Sequence, residues 1–161
     1  MNDFLTLWTI RLACVLYFAA ALLPGLGRWW RWAWTAGLLA YLTHVAAAFA
    51  FHHGWSHDAA FSETARRTGE LFGVESGAGL YFNYAFTAVW LADVVWLWRG
   101  SSGGNSDTYR ARPRWISIAV HAFMAFMFFN ATVVFASGWV RWLGAAATAI
   151  LLLVYAPVRR R

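Results

Sequence analysis

Charge is what this sequence has least of. Only 12% of its 161 residues are Asp, Glu, Lys or Arg, against about 25% in an ordinary soluble domain. That leaves too little polar surface to keep an isolated globule in water. Lysine is absent, and all 13 basic residues are arginine. The one cysteine, Cys14, excludes a disulfide scaffold and any multi-cysteine zinc or iron–sulfur centre. It lies mid-run with no basic neighbour in sequence, which reads as a packing residue. There is no phosphate-binding loop and no His-Glu-x-x-His. What is abundant is apolar: 61% of the residues are hydrophobic and 19% aromatic. That content rules out a disordered chain. The class that remains is an integral membrane protein.

The net charge of +6 does not point to nucleic acid. Nucleic-acid binding needs the charge gathered on one exposed face. Here the arginines fall mostly between apolar runs, which is how membrane topology is written. The expected partner is the lipid bilayer, with other membrane proteins or further copies of this chain beside it.

Five apolar stretches approach the roughly 20 residues a helix needs to cross a ~30 Å hydrocarbon layer. They are residues 4–24, 32–51, 79–98, 115–136 and 139–157. None alternates strictly, as the strands of a membrane barrel would. The expected fold is an all-α membrane domain of five transmembrane helices. A short amphipathic helix over 58–72 lies at the outer interface. On it Phe61, Ala65, Thr68, Leu71 and Phe72 share one face. Glu63–Arg67 and Arg66–Glu70 are spaced for i, i+4 ion pairs on the other. Gly73, Gly77 and Gly79 punctuate the turn that follows. The first run resembles a signal peptide in length. Its only preceding charge is Asp3, where a basic stretch is expected, and Arg11 interrupts it. The reading is therefore a retained span.

Arginine placement orients the chain. One alternate set of connections carries Arg28, Arg31, Arg99, Arg110, Arg112, Arg114, Arg159, Arg160 and Arg161, with Asp107 as its only acid. The other carries Arg66, Arg67 and Arg141 with Asp3, Asp58, Glu63, Glu70 and Glu75. The positive-inside bias puts the first set in the cytoplasm, so the N-terminus is outside and the C-terminus inside. An odd number of spans follows, in agreement with five. Residues 100–106, rich in Gly and Ser, read as a flexible inner linker. Most of the 12 tryptophans fall near span ends, where indole rings favour the headgroup level. Trp29, Trp30, Trp32 and Trp34 mark the inner end of the second span on this reading.

Ionisable groups within spans are costly and mark sites by default. Four qualify: Arg11, His44, Asp93 and His121. Helical rise puts Asp93 about 8 Å and His121 about 9 Å from the inner face, close enough to meet. Arg11 and His44 sit about 10–12 Å from the outer face, with Asn83 and Asn130 at similar depth. The inner pair reads as a proton relay or as interhelical hydrogen bonding. The outer layer suits an anionic lipid headgroup or a quinone carbonyl at Arg11, or simply Arg11 reaching to the interface. His44 and His121 are also the two deep histidines that bis-histidine haem would require, though their depths differ.

The sharpest local pattern is His52-His53-Gly54-Trp55-Ser56-His57-Asp58. On a continuous helix His53 and His57 would share a face and hold a transition metal, with His52, Asp58 and Glu63 nearby. A solvated histidine cluster is the alternative, and Gly54 is where the second span can end. Three functions are then open. The first is a structural or assembly subunit of a larger membrane complex. The second is a metal- or haem-dependent redox enzyme with an outer histidine site. The third is proton or ion transport along Asp93, His121, His44 and Arg11.

Overall fold

Long runs of Leu, Ala, Phe and Trp wind into helices because nothing inside them breaks the hydrogen-bond ladder. The computed structural model describes residues 2–22, 29–99 and 112–155. Among these residues six helices follow one another: α1 (Asn2–Leu22), α2 (Trp29–Phe51), α3 (His57–Phe72), α4 (Gly79–Arg99), α5 (Arg114–Phe129) and α6 (Trp139–Tyr155). A π-helical turn, Asn130–Val134, continues α5. Among the described residues there is no strand. The inner linker, and the expected ends of the first and last spans at Pro24 and Pro157, lie outside the described residues.

Among the described residues, four helical segments are long and apolar enough to cross a membrane: Asp3–Leu22, Trp29–Phe51, Gly79–Arg99 and Arg114–Val134. The expected fifth is present as an apolar helix over Trp139–Tyr155, where the described residues end. The helices pack in sequence: α1 along α2, α2 on α4, α4 on α5, α5 on α6, and α6 against α1. Helix α3 lies against α4.

The core is aromatic. Tyr17 of α1 stacks on Phe128 of α5 with centroids 3.8 Å apart. Trp34 and Tyr41 of α2 meet Trp90 of α4 at 5.4 and 5.8 Å. Phe86 closes the cluster against Trp90 and Phe128. Trp34 is therefore not an interfacial anchor as its place in the sequence suggests; it is buried at the centre. Composition cannot separate the two roles, because an indole suits either. Trp29, Trp32, Trp115, Trp139 and Trp142 do remain exposed.

Helix α3 is amphipathic as expected, with both ends fixed locally. Ser56 Oγ accepts from the Ala59 N–H at 3.2 Å, and Gly73 closes the other end by donating to the Gly69 carbonyl. Arg66 and Arg67 both donate to Glu63, and Arg66 also reaches Glu70. Gly77 does more than mark a turn. A Cβ there would stand 2.5 Å from the Phe61 ring, so its lack of a side chain lets α3 dock on the start of α4. Gly144 does the same for α6, where a Cβ would fall 2.5 Å from the Thr132 side chain. The π turn is what brings Thr132 there. Its Phe135 N–H donates to the Asn130 carbonyl, and the Thr132 hydroxyl to the Phe128 carbonyl.

Candidate functional site

The most buried charges of the described chain meet at the end opposite α3. Asp93 sits six residues before the end of α4, about 9 Å along the axis. It is 2% exposed. Such a carboxylate persists in an apolar setting only if its charge and lone pairs are answered. Trp34 Nε1 of α2 donates to Oδ2 at 3.0 Å. Arg112 Nη1 donates to Oδ1. Arg112 lies just ahead of α5 and is itself 5% exposed. Its Nε donates to Ser117 Oγ at 2.9 Å, and its guanidinium lies 5.8 Å from the Trp96 ring. The result is an overall neutral cluster joining α2, α4 and α5.

Arg112 was absent from the expected site. Counted with Arg110 and Arg114, it looked like one more loop charge. The usable signal was its position: two residues before a span, opposite an acid six residues from the end of the preceding span. Arginine's long side chain closes that gap. His121, expected beside Asp93, reaches the same layer but packs edge-on against the Trp34 ring at 5.7 Å. It makes no hydrogen bond among the described residues.

His44 lies ten residues beyond Trp34 on α2, about 15 Å along the axis. Its Nδ1–H donates to the Thr6 carbonyl at 2.9 Å, tying α2 to α1. His44 and His121 thus occupy different layers, a separation unsuited to two axial ligands of one iron. Asn83 contributes its backbone carbonyl, which accepts from Thr87 at 2.8 Å and from Tyr41 at 3.4 Å. Asn130 turns back to donate to the Phe126 carbonyl. Arg11 stands apart from all of these, between Trp8 and Trp139.

The structure does not gather the histidine pattern on one helix face. Helix α2 ends at Phe51, and both Gly54 and Trp55 take left-handed backbone, with φ of 54° and 60°. The i, i+4 face is therefore broken between His53 and His57. His52 pairs with Asp3 at 3.7 Å. His53 packs on Phe49. Burial, with a smaller contribution from His52, pushes the His53 imidazole below its ordinary value. His57 shares a hydrogen bond with Tyr84 Oη at 3.0 Å. Among the described residues, no three His, Cys, Asp or Glu side chains are grouped so as to hold a metal ion.

One further polar atom is stranded. The Trp90 ring is fully buried, yet its Nε1–H has no hydrogen-bond partner among the described residues. No protein-family model, curated protein or solved structure is significantly similar to this chain.

Proposed function

We propose that the chain is an integral membrane protein that crosses the bilayer five times, its N-terminus outside. We propose further that it serves as a structural or assembly subunit of a larger membrane complex. The observation that carries the reading is the uncovered apolar surface of α6. Trp142, Leu143, Leu152 and Leu153 all stand exposed on it, while Gly144 makes its close contact inward. A membrane helix with this much uncovered apolar surface can pack on a helix of another protein. The polar interior is consistent with a structural role, since Asp93 is held by Trp34 and Arg112.

Native mass spectrometry after gentle extraction from membranes tests the proposal. The expected result is an assembly of fixed stoichiometry, larger than the 18.1 kDa chain, that Leu153→Ser weakens. An 18.1 kDa species that alone turns over a substrate would overturn it. Reporter fusions placing both termini on one side would remove the five-span topology.

A second reading has one observation in its favour. Asp93 and His121 both meet the Trp34 indole and Arg112 pairs with Asp93, a grouping that suits proton movement. Flux through liposomes carrying the full chain, lost in Asp93→Asn, would establish it.

A further inference from the structure

Arg11 is the exception to the internal pairing of charge. It lies half-buried in the third turn of α1. Its guanidinium carbon is 5.2 Å from the Trp8 ring and 5.5 Å from the Trp139 ring. Among the described residues it has no carboxylate and no hydrogen-bond partner. The one acid of α1, Asp3, is two turns away and pairs with His52. A guanidinium carries five N–H donors, and two indole faces answer its charge but none of those donors. An unpaired guanidinium is costly in an apolar setting, and an anion would answer both its charge and its donors.

The surroundings restrict which anion. Because Arg11 reaches Trp139, the first residue of α6, the end of α6 stands at the level of Arg11. Helix α1 begins nine residues earlier, so it rises about 13 Å above that level. The step between them is walled by Phe4, Leu7 and Trp8, all exposed. Exposed Trp142 and Leu143 continue from its floor along α6. The positive end of the α6 dipole lies beside the same floor. Positive charge at the bottom of a greasy step, with apolar surface running on beneath it, matches a headgroup with attached acyl chains.

We propose that Arg11, Trp8 and Trp139 form a site for a phosphate oxyanion, occupied by the phosphodiester of an anionic glycerophospholipid. The inference rests on the chain spanning a bilayer. The two oxygens of the phosphodiester accept from the guanidinium, the indoles hold its plane, and the acyl chains follow α6.

The test uses the full chain in nanodiscs and in lipid-free detergent. Native mass spectrometry counts retained phosphatidylglycerol. Arg11→Gln is expected to weaken retention about tenfold, the size of one charge-assisted hydrogen bond. Arg11→Lys should fall between, since an ammonium keeps the charge and loses the planar stack. Inorganic phosphate at millimolar concentration should not displace the lipid. Equal retention in Arg11→Gln and the parent overturns the site, and displacement by inorganic phosphate overturns the lipid assignment. Carbonate extraction separates the premise. A chain washed from membranes refutes the spanning topology. A chain that resists carbonate and retains lipid without Arg11 refutes this site alone.

Discussion

Arg112 and Asp93 face each other from opposite sides of the α4–α5 connection, and Trp34 closes the carboxylate from a third helix. Neither charge is tolerable alone at that burial. Removing one partner of a buried pair typically costs about 3–5 kcal/mol, because the other is left uncompensated. Arg112→Ala and Asp93→Ala are each expected to lower stability by that order. The double variant should cost less than the two single losses added together. Unfolding of detergent-solubilised protein, followed by circular dichroism, measures all three. Simple additivity would show that the two charges do not interact.

Trp34→Phe isolates the third arm. Phenylalanine keeps an aromatic ring against Trp90, Tyr17 and His121 but removes the donor to Asp93. The expected loss is about 1–3 kcal/mol, that of a buried hydrogen bond to a charged group. In an Asp93→Ala background the same change should cost clearly less.

The close approach at Gly77 predicts a rescue. Gly77→Ala drives a methyl group to 2.5 Å from ring atoms of Phe61. It should loosen α3 and speed proteolysis between residues 57 and 72. Phe61→Leu should restore much of the protection, because only side-chain atoms are in the way. At Gly144 the obstruction includes the Thr132 carbonyl at 2.8 Å, so Gly144→Ala should resist rescue by Thr132→Ala.

Hydrogen bonds from Arg66 and Arg67 lower the Glu63 carboxyl from 4.5 to about 2. A depressed carboxylate stabilises the fold above its unfolded value. That contribution is lost as pH falls from near 4.5 through about 2. Carbon-detected NMR of the Glu63 carboxyl should therefore show a midpoint near 2, rising toward 4.5 in an Arg66→Gln/Arg67→Gln variant. Salt should raise it as well, since these groups are accessible to solvent.

Much of the helix pattern was legible because run length and a change of period are strong signals. Residues 58–72 were expected as the amphipathic helix, and α3 is His57–Phe72. The costly groups were legible too, as Asp93 shows. Partners were not. The position of Arg112 just ahead of a span hints at Asp93, but knowing which helices are neighbours is what identifies the pair, and Trp34 serves as core where its sequence position reads as interface. The shared face expected of His53 and His57 is absent for a backbone reason. Spacing predicts a shared face only while the helix continues, and the left-handed residues Gly54 and Trp55 end it. Likewise the fourth run continued past Phe129 only as a π turn, and the contact it makes with Gly144 is one that no local pattern contains.

The Asp93–Arg112 contact has a consequence for how the polypeptide can be made. The two side chains flank residues 100–111, so each belongs to a different half of the molecule. Fragments 1–105 and 106–161, synthesised separately, would carry complementary members of one lock. Their reunion in a bilayer would need no peptide link between them.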